Sequence, residues 1–481
     1  MFRIKSVLNT FNKIRLPITR NFCNYTSDVV IIGGGAIGCS TALELTRKGF
    51  SVSIVDSNHG VGQGSTSYSS GICRMYYSIL DSVKFSWEGY QTWQEWHDYL
   101  QLPNSYHSHL AKLKECGVVI FDTPNSSDFL AKTSKCLQEI DIPYEYLSVD
   151  ELVLQYPDLS KQIELVKRYN PALITDEKFA IPLENEHLKS VFYMKHAGYV
   201  NDPQLAVENL RDAIKYHNKN GIGTNDVQFI YNTTVRRVIQ RFNSIRGVEL
   251  SDGSQISAPI VINCAGPYSN LVTDMVFSDK TCDVENDMNL TTRPLRREIC
   301  HLSLSSNFDY GNKGMLLIDF DNGIYIRPDN KNNIILGSNE PHCDTLDIID
   351  NVANTNTEFT EQWTSQLYRG ALRMKNLHIP SATNTRGIVA CYDITEDWTP
   401  IYDKSSIEGY YMAIGTSGNQ FKNIGVVGQF MSELIAKNEN SEYNEKKGFN
   451  FNLKRTNNVI HSGIFSRLRK PNSASSGTVL G

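Results

Sequence analysis

Three glycines, Gly33, Gly35 and Gly38, stand in GxGxxG register inside the run GGGAIG, and an acid, Asp56, ends the next apolar run. Residues of these types at this spacing can hold a dinucleotide. Gly33 permits a tight turn, Gly35 lets the backbone approach a pyrophosphate, and Gly38 lets a helix pack closely on a strand. The start of that helix, at Ala36 and Ile37, faces the phosphate charge, and Asp56 can accept hydrogen bonds from a ribose. A coincidental glycine turn would not need flanking strands or an acid at this distance.

The flanking elements are present. DVVII, before the glycines, is a short buried-strand pattern; the spacing then predicts a helix from about Ala36 to Lys48, stopped by Gly49; SVSIV predicts a second strand. A second strand, turn and helix appears near the far end. Tyr410 to Ile414 is strand-like, GTSGNQFK turns on glycines, and Ile424, Val427, Met431 and Leu434 follow at helical spacing.

The 481 residues, 40% hydrophobic and 21% charged, suit one large interleaved unit or two to three domains. The longest uncharged apolar and small-residue stretch, Val29 to Leu43, is too short to span a bilayer as a helix, so no transmembrane span is expected. Residues 1–27 carry Arg3, Lys5, Lys13, Arg15 and Arg20 and no acid, with apolar residues interspersed. That pattern reads as a mitochondrial transit peptide; a disordered basic tail is the plainer alternative. Its removal would take the formal charge from −5 to −10, since five basic residues leave and no acid does. So acidic a chain offers no electrostatic footprint for nucleic acid. Ten scattered cysteines, with no CxxC, suggest neither a metal site nor a disulfide framework.

The glycine motif alone does not choose between NAD and FAD. The rest of the chain favours FAD. GQGSTSYSSGICR, after Asp56, is a small-residue loop suited to a flavin diphosphate and ring. Val235 to Ser269 reads as two hairpin strands and a third strand ending in Cys264-Ala265-Gly266. With GGGAIG, GSTSYSSGICR, VINCAGPYS and GTSGNQFK in this order, residues 28–436 resemble the FAD-dependent amino-acid oxidoreductases of the D-amino-acid oxidase superfamily. The branch they look most like holds sarcosine oxidases, dimethylglycine dehydrogenases and mitochondrial FAD-dependent oxidoreductase domain-containing proteins.

The resemblance implies an α/β fold: a Rossmann-like FAD-binding domain interleaved with an α+β antiparallel-sheet substrate domain. The FAD domain is expected at 28–90, 192–285 and 381–437, the substrate domain at 91–191 and 286–380, and a loose polar tail at 438–481. It implies FAD contacts at Gly33, Gly35, Ala36, Ile37, Gly38 and Asp56, and at Ser65 and Thr66 in the loop. Val235, Ala265 and Gly266 would follow, then Gly415, Ser417, Gly418, Gln420 and Lys422 in the closing turn. Arg74 and Lys422 match a cation pair that holds the substrate carboxylate while the α C–H faces flavin N5. Tyr392 matches a tyrosine near the substrate.

The departures are also informative. Where some relatives attach flavin through cysteine or histidine, this chain has Ala390, followed by Cys391, and Tyr68, so non-covalent FAD is expected. Where oxygen-using relatives place a lysine, this chain has a position near Ile335. Without that cation, charge developing on dioxygen lacks stabilisation, so a dehydrogenase passing electrons to a protein or quinone acceptor is expected. His301 and His342 are candidate bases by residue type only. The expected activity is oxidation of the C–N bond of a small secondary or tertiary amino acid such as an N-methylglycine, in the mitochondrial matrix or at the matrix face of the inner membrane. The alternatives are a 2-hydroxy-acid dehydrogenase and an FAD-fold assembly factor for a respiratory complex.

Overall fold

A computed structural model describes residues 24–223, 226–277, 287–305, 309–381 and 384–481. Most of the expected transit peptide, residues 1–23, lies outside the described residues. Val29–Ile32 forms the strand before the glycine turn, flanked in one sheet by Val52–Val55 and Ile260–Asn263. The sheet runs Val227–Ile230, Val52–Val55, Val29–Ile32, Ile260–Asn263, Tyr410–Ile414 and Ile401–Lys404. Its first five strands are parallel and the last is antiparallel. Val52–Val55, Val29–Ile32, Ile260–Asn263 and Tyr410–Ile414 are buried along their whole length because helices cover one face and a four-stranded sheet, Asn24–Thr26, Gln255–Ser257, Ser244–Leu250 and Val235–Arg241, covers the other. The helix Ala36–Arg47 packs against Ile424–Glu439 so tightly that a side chain on Gly428 would strike the Ser40 carbonyl oxygen at 2.2 Å. The Ser40 hydroxyl donates to the Ile424 carbonyl and accepts from the Gly428 N–H at 3.0 Å. An early helix and a late one are thereby joined beside the glycine turn.

The second large layer is an eight-stranded sheet in the order Gly387–Ile394, Arg293–Ser303, Asn333–Ser338, Ile324–Pro328, Leu316–Asp319, Val118–Asp122, Ser190–Met194 and Glu145–Ser148. It is antiparallel except where Leu316–Asp319 meets Val118–Asp122. One face packs Cys300, Leu302, Ile326 and Leu336 against Trp363 and Leu367 of the helix Glu361–Arg373. The alternating residues Arg297 and Ile299, opposite Ala390 and Ile388, look the other way. The mixed α/β architecture, with an antiparallel-rich second sheet, is the one expected. Gly387–Ile394 belongs to this eight-stranded sheet, although it falls inside a segment assigned to the cofactor domain.

Residues 438–481 are not a loose tail. Asn450–Leu453 and Asn458–His461 form a hairpin whose Phe451, Leu453 and Ile460 are buried, with Phe465 beyond it. Phe451 and Phe465 meet Phe430 edge-on, with ring centroids at 5.2 Å in each case. Arg467, 2% exposed, is paired with Asp287 and Asp403. Arg469 is paired with Asp397. A polar average hid a few large apolar residues in alternation and two arginines with buried partners.

Candidate active site

Two cavities lie where the large sheets face each other. The larger, about 670 Å³, is lined at one end by Gly33, Gly35, Ala36, Ile37 and Asp56. Gly33 has φ +108°, and a Cβ there would meet the Cys264 carbonyl oxygen at 2.4 Å, so glycine is required by both conformation and space. Asp56 accepts from the Gly34 N–H at 2.7 Å and the Asn58 N–H at 2.8 Å. These bonds fix its carboxylate at the end of its strand. Gly38 does not line the cavity; it lies behind it, where a Cβ would stand 1.9 Å from the Gly33 carbonyl oxygen. Its role is to bring the helix start against the turn.

Ser65 and Thr66 line the same cavity. Thr66 Oγ1 accepts from the Ala36 N–H at 3.1 Å, and Ser65 Oγ donates to the Cys391 carbonyl at 3.1 Å. Val235, Ala265, Gly266, Gly418 and Gln420 complete the expected part of the wall. Gly266 has φ +56°, and nothing stands within 4 Å of where its Cβ would be, so the backbone is bare to the chamber. Gly415 and Ser417 are not in the wall. They form the turn behind it: Gly415 N–H donates to Asp393 at 2.6 Å, and Ser417 Oγ donates to the Gly415 carbonyl at 3.0 Å. Thr416, between them, reaches the chamber.

The chamber fits FAD. Its size falls among small-molecule sites, which are roughly 300–1,000 Å³. One end is a helix N-terminus with glycine-bared backbone and the Asp56 carboxylate; the other is a mainly apolar slot between the sheets. Ala390 and Cys391 both line the slot, and the Cys391 Sγ lies 3.5 Å from Thr355 Oγ1 in a hydrogen bond. Tyr68 is at the chamber rim, 45% exposed.

The smaller cavity, about 50 Å³, adjoins the first; Ser69, Ser70, Tyr392, Gly418 and Phe421 line both. It contains Arg74 and Lys422, so residues far apart in sequence do converge here, with Tyr392 between them and the large chamber. Lys422 is a wall of this cavity and not of the cofactor chamber. Arg74, 5% exposed, lies 4.2 Å from the Tyr77 ring centroid, and Lys422 Nζ lies 4.8 Å from the same centroid. Lys422 Nζ donates to Tyr77 Oη and to the Asn419 carbonyl. Among the described residues, neither cation has a carboxylate within salt-bridge distance. Burial first, and then the Arg74 charge, hold the Lys422 amine well below its ordinary pKa. The buried Tyr76 hydroxyl, in the same wall, has no partner among the described residues.

Several residues of the site had no signal in the sequence. Arg297, 4% exposed, lines the chamber and pairs with Glu340 at 2.9 Å, and its other terminal nitrogen has no partner among the described residues. Burial pushes the Glu340 carboxyl up, and Arg297 opposes that. Asp393 is fully buried in the chamber wall, and its carboxyl is pushed up to about 7 by burial against the bonds from Gly415 and Ser269. Val479 and Leu480 stand in the smaller cavity. A strand carboxylate or a distant polar segment gives no spacing to recognise. His301 and His342 line neither cavity. Among the described residues there is no cluster able to hold a metal ion and no helix long and apolar enough to cross a membrane.

A dinucleotide chamber joined by a tyrosine to a small cationic cavity defines a flavin-dependent oxidoreductase site. The chain belongs to the FAD dependent oxidoreductase (DAO) family, whose model matches residues 28–434. In fold it is similar to the L-proline dehydrogenase of P. horikoshii, with 19% identity, a TM-score of 0.65, and coverage of 86% of this chain and 94% of that one. It is likewise similar to the glycine oxidase of Geobacillus kaustophilus, with 17% identity, a TM-score of 0.64, and coverage of 93% and 99%. In sequence it is 23% identical over 263 residues to the glycerol 3-phosphate dehydrogenase of Caloramator mitchellensis, covering 53% of this chain. That match spans 44% of the relative's length.

Proposed function

We propose that this FAD-dependent oxidoreductase is a mitochondrial dehydrogenase of a small amino acid with a secondary or tertiary amine, an N-methylglycine being the model substrate. One observation carries the reading: Arg74 and Lys422 meet in a small buried cavity that opens on the flavin chamber beside Tyr392. Bound FAD supplies a two-electron acceptor; the chain's own groups bind and orient. The Arg74 guanidinium provides a permanent charge for a carboxylate. Lys422, whose surroundings favour the neutral amine, can accept a proton from the substrate's ammonium group and leave the nitrogen lone pair free. Tyr392, Phe421 and Tyr76 give the substrate dry walls, which strengthen both interactions.

The dehydrogenase reading is supported by Ile335, which is buried on the strand next to Arg293–Ser303 and brings no cation. Its cross-strand partner Arg327 lies over the Tyr199 ring at 4.3 Å and outside the cavity linings. The basic, acid-free N-terminus supports the mitochondrial address, and electrons would leave to a protein or quinone acceptor. A second reading, oxidation of a small anionic alcohol, is favoured by the 23% identity to the Caloramator glycerol 3-phosphate dehydrogenase and would use the same Arg74 charge. The test is anaerobic addition of sarcosine, dimethylglycine, proline, lactate or glycerol 3-phosphate to the FAD-loaded chain. Rapid bleaching of the flavin by an N-methylated or cyclic amino acid is expected. Bleaching by an alcohol alone would replace the amine reading with the second. Equal turnover with oxygen as sole acceptor would refute the dehydrogenase assignment.

A further inference from the structure

Arg74 is already occupied. Its Nη1 donates to the Tyr76 carbonyl at 2.8 Å and the Leu480 carbonyl at 3.3 Å, and its Nη2 donates to the Val479 carbonyl. Two of its three acceptors therefore come from the segment Ser476–Gly481. That segment is pinned elsewhere too. The Val479 N–H donates to Glu340 at 2.9 Å, Asn419 Nδ2 donates to the Val479 carbonyl at 3.5 Å, and the Ser78 hydroxyl donates to the Gly481 carbonyl. Thr478 folds the segment back on itself, accepting from the Gly481 N–H at 2.9 Å and the Leu480 N–H at 3.2 Å. Leu480 is 3% exposed and lies in the wall of the cationic cavity.

Chemically the segment imitates a weak substrate. It gives Arg74 two carbonyl oxygens, side by side, where a carboxylate would give two charged ones. It leaves the charge of Arg74 unneutralised, so an anion binds this guanidinium better than the segment does. The attachment is hydrogen bonds plus two apolar side chains, buried Leu480 and half-buried Val479, and one of the acceptors, Glu340, is shared with Arg297. The cavity of about 50 Å³ has no space for an amino acid while the segment is in place.

We propose that Ser476–Gly481 is an intramolecular strap seated in the substrate subsite, which a small carboxylate displaces when it takes Arg74. The strap rests on the reading of Arg74 as the carboxylate site and adds a control to it. Apparent affinity for carboxylates is lowered by the strap, while affinity for FAD is not, because the strap touches no wall of the large chamber except through Tyr392 and its neighbours.

The experiment compares the FAD-loaded full chain with a chain ending at Ser475, each titrated with propionate and with propionamide. Flavin absorbance reports occupancy. Hydrogen exchange at the Val479 amide reports the strap in the full chain. The expected result is propionate binding about tenfold tighter without the strap, no change for propionamide, and faster Val479 exchange as propionate saturates the full chain. Val479→Pro, which removes the N–H held by Glu340 and keeps the chain length, is expected to move affinity the same way. That variant decides the matter if the shortened chain does not fold. Equal propionate affinity in the full chain and the variants, or unchanged exchange at saturation, overturns the strap and leaves the Arg74 site standing. Failure of propionate to bind any form overturns the Arg74 site and the strap with it.

Discussion

Replacing Asp393 with asparagine removes an ionisable carboxyl from the chamber wall with little change in shape. In the wild type both carboxylate oxygens accept from Ser269 Oγ at 3.1 Å, and one accepts from the Gly415 N–H. Burial nevertheless dominates and the carboxyl keeps its proton up to about 7, against an ordinary 3.8. Each tenfold of proton affinity is worth about 1.4 kcal/mol, so ionising this buried group costs on the order of 4 kcal/mol. The unfolded chain releases the proton near 3.8 and the folded one near 7. Between those values the folded state holds the extra proton, so this group's contribution to stability falls as pH rises and levels off above about 7. An asparagine side chain at this position has no such slope. It can still accept from the Gly415 N–H, losing at most a hydrogen bond of about 1 kcal/mol. Asp393→Asn is therefore expected to exceed the wild type by about 2–3 kcal/mol at pH 8 and to match it at pH 4. Thermal unfolding of the FAD-loaded protein, followed by flavin fluorescence from pH 4 to 8.5, measures the difference between the two curves. Parallel curves, or a variant weaker at pH 8, would refute the reasoning.

Gly38→Ala puts a methyl 1.9 Å from the Gly33 carbonyl oxygen and must move the helix off the turn. FAD affinity is expected to fall about 100-fold or more, read by fluorescence titration. Arg74→Lys keeps a charge but loses the planar fork, and kcat/KM for a carboxylate substrate should drop about 100-fold, with Arg74→Ala lower still; an unchanged value for the lysine variant would count against carboxylate recognition there. Arg467→Ala leaves Asp287 and Asp403 buried without their cation. It should cost roughly 3–5 kcal/mol of stability in a denaturant titration, and a loss under 1 kcal/mol would mean that the segment after Glu439 is dispensable.

Much of the fold was legible because its signals are local. GGGAIG sits between two short apolar runs, so strand, turn, helix and strand follow from spacing alone. The partnership of Tyr410–Ile414 with Ile260–Asn263 is not local; resemblance supplied only that both runs belong to the cofactor domain, and the pairing itself appears in the structure. The same divide holds in the site. Gly33 and Asp56 are readable because one strand–turn–helix unit carries them. Arg297 and Asp393 become site residues only when sheet register turns them toward the chamber, and no sequence interval records register between distant strands. The segment 438–481 misled because composition averages over its residues, while burial selects Phe451, Leu453, Phe465 and Leu480.

The central parallel strand Ile260–Asn263 has its neighbours at Val29–Ile32 and Tyr410–Ile414, one far before it in the chain and one far after. During synthesis, then, the early neighbour is in place long before the late one has left the ribosome. For the intervening stretch one edge of Ile260–Asn263 is bare, an apolar ribbon able to pair with other chains. The chamber wall from Thr416 to Phe421 is also missing until that moment. Cofactor capture can therefore act as a checkpoint on translation having passed the late strand. A chain stopped before it would lack the wall that closes over FAD and would carry a sticky edge, which marks it for chaperones or proteases.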